Sequence, residues 1–333
     1  MNTSVSLKEK LSIHSIKAAI ETRLPNSAYN MLFRRRFSTN AVVDLRKIET
    51  FEFEAFPESE NIPWLDRKDA PQLIDDQLRS GRITVEQADS FRQWNNEGYL
   101  ILNEYIDPSR LDAIWAAYES AIEQGRVILP EEEQGADDPY PARALSPHEQ
   151  VPEIASLLHD PGICSWVRNL SGREPVPYQT IASFTGSEQA VHSDSVHMST
   201  YPVGYMIAAW IAFEDIHEDS GPVVYYPGSH TLPYVSSRSV GITEKKSDYV
   251  AYKEKYEPAI RDIIEQNQLK PKYLTAKKGD VLLWHANVLH GGSPRKNIQL
   301  SRKAVVSHYF TQGAVSYHDL TGKQTFLDSN RVL

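Results

Sequence analysis

Residues 279–310 read GDVLLWHANVLHGGSPRKNIQLSRKAVVSHYF. Gly279 and Asp280 form a turn signal, residues 281–284 an apolar run of strand length, and residues 304–310 a second one. Working outward, further short β segments are predicted at 177–184, 190–193, 203–213, 223–226 and 273–276, with one helix-like insertion at about 248–266. Many short strands separated by Gly and Pro turns, without βαβ alternation, predict a sandwich or jelly roll in an α+β chain, with the helical N-terminal half packed on it.

The N-terminal half carries the helical signals. Thr84 and Gln87 have capping-box spacing and open a helix through Trp94, which Gly98 closes ahead of a strand at 99–102. Pro108 starts a second helix whose Leu111, Ile114, Trp115, Tyr118 and Ile122 make one apolar stripe. A linker at 57–65 is predicted to divide an arm, 1–60, from one domain, 61–333, with helical support over 66–170 and a jelly-roll core over 176–312. Segment 130–150 has no periodicity, many charges and several prolines; a loop of that length is either a lid over a site or disordered. Its acidic cluster, Glu131, Glu132, Glu133, Asp137 and Asp138, lacks the spacing of a calcium loop and reads as a solvated face.

The chain has 333 residues, 41% of them hydrophobic, and no apolar run near the ~20 residues a membrane span needs. Cys164 is the single cysteine, which excludes an intramolecular disulfide and a thiolate metal site. Together with an opening stretch that lacks a secretory apolar segment, this points to the cytoplasm. The net charge is -9, yet residues 1–47 carry nine Lys and Arg against three acidic side chains. The acidic body argues against nucleic acid as a partner. In the arm, Leu7, Leu11, Ile13, Ile16, Ile20 and Leu24 recur at helical spacing before Pro25. Its expected use is packing on the acidic body or on a second subunit in a homo-oligomer, with an anionic membrane surface as the lesser alternative.

The chemistry-bearing residues begin at 190–200, AVHSDSVHMST. On a strand, His192 and Asp194 point to one face and Ser193 to the other, while His197 faces away from the pair. His-x-Asp alone is a weak metal signal and requires a third ligand elsewhere. Without thiolates, His and carboxylate donors favour iron, manganese or zinc. Of the two histidines after the 281–284 strand, His290 is preferred because Gly291 and Gly292 let backbone and ligands approach closely; His285 is assigned to packing or hydrogen bonding. Arg302 opens the last strand, a rigid place from which a guanidinium can grip a carboxylate, the alternative being a structural salt bridge. His217 is expected in a solvated turn, His230 in a structural hydrogen bond, and His197 with Met198 either at a substrate pocket or in packing. His14, His148, His308 and His318 carry no usable pattern.

Taken in order, these residues resemble the phytanoyl-CoA hydroxylase family of iron(II)- and 2-oxoglutarate-dependent dioxygenases. The resemblance covers roughly residues 84–312. It rests on His192-Ser193-Asp194, Trp210-Ile211-Ala212-Phe213-Glu214-Asp215, Gly221-Pro222, Pro227-Gly228-Ser229-His230, and Gly279-Asp280 through His290-Gly291-Gly292-Ser293 to Arg302. It implies a cupin-like double-stranded β-helix, with His192, Asp194 and His290 as ligands of Fe(II) that leave open positions for 2-oxoglutarate and O2. Arg302 would hold the distal carboxylate of the cosubstrate, with Ser293, Gln179 and Trp210 in its neighbourhood. Family members place the serine two residues and the arginine eleven residues after the distal histidine; here both are one residue later, as if one residue had been inserted beside it. The implied reaction hydroxylates an unactivated C–H bond of a small molecule (a natural product, lipid or saccharide) while 2-oxoglutarate becomes succinate and CO2. Halogenating members replace the carboxylate with a small residue, so Asp194 favours hydroxylation or a related oxidation. No segment marks CoA binding. The competing readings are a zinc hydrolase on the same His/Asp/His set, which leaves Arg302 unexplained, and a non-catalytic jelly-roll binding protein.

Overall fold

A computed structural model describes residues 61–130, 138–141, 143–242 and 249–321 and the backbone of 323–325. The basic arm with its expected helix, and residues 131–137 of the acidic cluster, lie outside the described residues.

Helices α1 (Ala70–Arg79) and α2 (Val85–Glu97) open the described chain. The capping box forms as expected: Thr84 accepts from the Gln87 amide, and the Gln87 side chain accepts from the Thr84 amide. Gly98 ends α2 in the left-handed region (φ 76°), and a Cβ there would sit 2.5 Å from the His230 ring. That close approach lets the chain run straight into strand β1 (Tyr99–Leu102). Asp107 caps α3 (Pro108–Glu123), which buries Leu111, Ile114, Trp115 and Tyr118, with Ile122 only half-buried. After β2 (Ala144–Leu145) come α4 (Pro152–Leu158) and α5 (Pro161–Ser171).

The remaining strands are β3 (Pro175–Ser183), β4 (Ser199–Tyr201), β5 (Met206–Ala212), β6 (Val223–Tyr225), β7 (Lys272–Tyr273), β8 (Val281–His285), β9 (His290–Gly292), β10 (Ala304–Thr311), β11 (Val315–His318) and β12 (Lys323–Thr325). Helix α6 (Glu257–Gln266), entered through a π turn at Tyr252–Tyr256, interrupts them between β6 and β7. Six strands pair antiparallel in the order β1-β8-β5-β10-β3-β2, and two three-stranded sheets run β7-β6-β9 and β12-β11-β4.

The large sheet is covered on both sides, which explains why β5, Met-Ile-Ala-Ala-Trp-Ile-Ala, is apolar without alternation. Ile207, Ala209 and Ile211 face the helices, packing with Trp94, Leu111, Ile114, Tyr118 and Leu157. Met206, Ala208, Trp210 and Ala212 face the other way, with Trp284, Val223 and Tyr225. Each large side chain fully buried there contributes on the order of 1.5–3 kcal/mol of apolar transfer.

Four expectations need correction. Residues 190–193 are not a strand: His192 makes a single β bridge to His290, and Asp194 opens a 3-10 turn (Asp194–Val196). Residues 61–65 are not a linker, because Ile62 packs with Val203, Tyr234 and Tyr317 and Leu65 is fully buried in the helical core. Strands β2, β4, β9, β11 and β12, of two to four residues each, were not expected, and the last two carry the sheets past residue 312. Segment 130–150 is not irregular throughout, since β2 and a 3-10 turn at Pro147–Glu149 lie within it. No helix among the described residues is long and apolar enough to cross a membrane.

Candidate metal centre and cavity

His192, Asp194 and His290 are buried and bring one donor atom each to within 4.8 Å of one another. His192 and His290 exchange backbone hydrogen bonds of 2.9 Å each way, and this bridge sets their rings side by side, 4.6 Å between centroids. Gly291 permits the approach, for a Cβ there would lie 2.7 Å from the Gln189 carbonyl. The turn at Asp194 then swings its Oδ1 to 3.6 Å from His192 Nε2 and 3.5 Å from His290 Nε2.

Both imidazoles are oriented by their own backbone. The Nδ1–H of His192 donates to Ala190 O and that of His290 to Val288 O, each at 2.9 Å, so both Nε2 lone pairs turn inward. Trp284 Nε1 donates to Asp194 Oδ2 at 2.8 Å and leaves Oδ1 facing the imidazoles. The Gln189 amide donates to His192 Nε2 at 3.3 Å. Burial pushes the His290 pKa down to about 4, so its ring is neutral at neutral pH. For Asp194 burial acts upward, but His290 and His192 beside it hold the carboxyl well below the usual range. An imidazole kept neutral by burial, a second imidazole and one carboxylate, with donor atoms converging within 4.8 Å, fit a divalent ion of the iron, manganese or zinc kind.

The triad lies in the wall of a cavity of about 570 Å3 that also reaches Trp210, Trp284, Arg302 and His308. Arg302 is 4% exposed. It donates to Gly221 O at 3.2 Å and Thr185 O at 3.4 Å, while its Nε has no partner. Among the described residues no carboxylate pairs with it, so the salt-bridge alternative finds no partner there. Burial pulls its pKa down to about 10, which still leaves it charged at neutral pH. Trp210, its ring 5.7 Å from the guanidinium, has an unpartnered Nε1. A buried cation without an anion costs several kcal/mol in general, so this end of the cavity is built for an acidic guest.

Not every expected residue reaches the cavity. Ser293 Oγ donates to Pro222 O at 2.7 Å and is not in the lining, nor is Gln179, although Ile181 and Ser183 of the same strand are. His285 is bonded to Asp66 at 3.0 Å, outside the triad, as expected. His230 is buried with its Nε2 bonded to Asn95 O, and His217 lies in an exposed turn. His197 packs against His192 and Tyr252 rather than lining the cavity, and Met198 packs with the apolar cluster on the cavity side of the large sheet.

The lid reading of segment 130–150 gains support, because Asp138, Tyr140, Pro141 and Arg143 line the cavity. Asp138 forms an ion pair with Arg295, and the Tyr140 hydroxyl donates to Gln299 O at 2.8 Å. Asp138 is thus not on a solvated face. Sequence reasoning missed Gln189, Arg295, Trp284 and His308. For His308 a signal existed: it lies six residues after Arg302 on a strand, an even spacing that shares a face.

Residues 94–304 match the protein family described as Phytanoyl-CoA dioxygenase (PhyH). Phytanoyl-CoA dioxygenase domain-containing protein 1 of Mus musculus is 29% identical over 165 residues, 48% of this chain and 54% of that protein. The ectoine dioxygenase of Bordetella bronchiseptica is 24% identical over 229 residues, 63% of this chain and 73% of the other. This chain spans about half the length of the rodent relatives it matches. Among solved structures, EctD from S. alaskensis in its apoform has a TM-score of 0.55 at 18% identity, covering 74% of this chain and 84% of that one. The 2-oxoglutarate-dependent carbocyclase SnoK from nogalamycin biosynthesis has a TM-score of 0.53 at 18% identity, covering 71% and 87%. At such identities the structural likeness speaks for the fold.

Proposed function

The chain belongs to the phytanoyl-CoA dioxygenase (PhyH) family, and on that premise we propose that it is an Fe(II)- and 2-oxoglutarate-dependent oxygenase that hydroxylates an unactivated C–H bond of a small molecule. The observation that carries this reading is the buried Arg302, without an acidic partner among the described residues, in the same cavity as the His192/Asp194/His290 cluster. A zinc hydrolase would leave that guanidinium idle.

In this reading His192, Asp194 and His290 hold the iron and Arg302 holds the distal carboxylate of 2-oxoglutarate, with Trp210 as the wall beside it. Iron with 2-oxoglutarate and O2 supplies the oxidising chemistry, with succinate and CO2 released. The protein's part is orientation and exclusion. Ala190 O and Val288 O fix the imidazoles, Trp284 fixes the carboxylate, and the Asp138–Arg295 pair draws residues 138–141 across the cavity and keeps water from the reacting centre. Ser293 acts as a support for the Pro222 backbone rather than as a cosubstrate ligand, and Gln179 stays outside the contact set.

The large sheet and the β7-β6-β9 sheet are the two walls of a double-stranded β-helix, in one domain from about residue 61 onward, with residues 1–60 as an appended arm that packs on a second subunit. A cytoplasmic setting accords with a single buried cysteine. The substrate is a compact natural product, lipid or saccharide portion; the family's CoA name is not extended to it. The test is anaerobic iron(II) titration of variants. His290→Ala should lose the metal and His285→Ala should keep it; the reverse pattern would remove His290 from the site.

A further inference from the structure

His308 stands in the cavity without a job. It is 3% exposed, lines the same cavity as the triad, and its Nδ1 is buried with no partner. A neutral imidazole carries one N–H. With nothing for Nδ1 to donate to, the proton belongs on Nε2, the nitrogen left to the cavity. Burial holds the ring neutral, with Asp194 opposing more weakly.

Register places this donor at the level of the metal cluster. His308 on β10 is paired with Ala208 on β5, and Ala208 with Trp284 on β8, the residue that clasps Asp194. His308 and Trp284 both line the cavity, with Ala208 between them on the sheet. One row along, Val306, Trp210 and Leu282 separate this level from Arg302, which lies on the same face of the same strand region. The cavity therefore offers two donors to one extended guest, a guanidinium at one end and an imidazole N–H beside the three converging metal donors.

Resting on the oxygenase reading above, we propose that His308 is a further catalytic residue, donating Nε2–H to the metal-facing carboxylate of 2-oxoglutarate while Arg302 holds the carboxylate at the other end. The relation gives a use to an imidazole whose sheet partners are Ala208 on β5 and Gln179 on β3. Gln189 approaches the cluster from a different segment and is already bonded to His192.

The test is calorimetric titration of 2-oxoglutarate into manganese(II)-loaded full-length protein, without turnover. His308→Phe keeps the ring volume and removes the donor; binding should weaken by about tenfold or more, as for a lost charge-assisted hydrogen bond, while manganese affinity stays within about threefold. His308→Gln restores an N–H near the Nε2 position and should bind within about threefold of wild type. Arg302→Ala is the reference. If wild type binds no 2-oxoglutarate, the oxygenase reading itself fails. If wild type binds, Arg302→Ala does not, and His308→Phe matches wild type, the role given to His308 is overturned alone. It is equally overturned if both His308 variants lose manganese, or if His308→Gln is as weak as His308→Phe.

Discussion

At the scale of single residues, orientation of the metal donors is carried by groups that do not touch the metal position. Trp284 is the clearest case, because its indole N–H occupies one carboxylate oxygen of Asp194 and so selects the other for the cluster. Trp284→Phe keeps most of the packing and frees Oδ2. Iron(II) affinity should drop about 10- to 100-fold, the usual range for such supporting partners, and anaerobic titration would show it; an unchanged affinity would mean the imidazoles alone position the carboxylate. Arg302→Ala should leave iron binding nearly intact and raise the 2-oxoglutarate concentration for half-maximal turnover by about ten- to a hundredfold, the worth of a charge-assisted bond of roughly 1.5–3 kcal/mol. Steady-state succinate formation reads that shift.

At the scale of elements, what was legible depended on how far a feature could be read locally. The capping box at Thr84 and the Pro108 helix were visible because capping and the helical stripe are short-range. The buried strands β5 and β8 were visible as apolar runs. The convergence of His192 and Asp194 was expected from strand alternation and His290 from its flanking glycines, yet the chain brings them together by a bridge followed by a turn, which only the pairing partner β9 dictates. Likewise residues 61–65 read as a linker because Pro63 and the preceding polar residues outweigh the three apolar side chains Ile62, Trp64 and Leu65, and only their tertiary contacts overrule them. Ser293 was placed near the cosubstrate by the one-residue offset it shares with Arg302, and Gln179 by analogy of position; neither is among the residues lining the cavity. The lid clasp belongs to this scale too. Arg295 has only 4% of its side chain exposed, so Asp138→Asn strands a buried cation and should cost about 2 kcal/mol of stability. It should also speed proteolytic cleavage near residue 138; urea unfolding with limited proteolysis checks both, and an unaltered digestion pattern would remove the clasp.

At the scale of the whole molecule, the helices brace one face of the large sheet and leave the other to the cavity, so the fold should tolerate loss of ligands but not of buried neutrality. His230 illustrates this. It is 2% exposed, its pKa is driven down to about 4 by burial, with His285 acting the same way and Asp66 opposing, and its partner is a backbone carbonyl. The unfolded chain takes up that proton near pH 6.5 and the folded one only near 4, so its contribution is intact above about 6.5 and is lost as pH falls toward 4, by about 3 kcal/mol at most. Denaturant unfolding of His230→Gln should show a flatter decline between pH 7 and 5 than wild type. The basic arm, 1–60, enters here as an assembly element: a truncation near Asn61 should change the mass seen by light scattering while cosubstrate turnover persists.

The account as a whole stands on the conversion of 2-oxoglutarate at this one cavity. Purified protein reconstituted anaerobically with iron(II), then given 2-oxoglutarate and air, should release succinate, faster when the true substrate is added, and Asp194→Ala should abolish the release. Absence of succinate from iron-loaded, folded wild-type protein across candidate substrates, or equal release from Asp194→Ala, would contradict it.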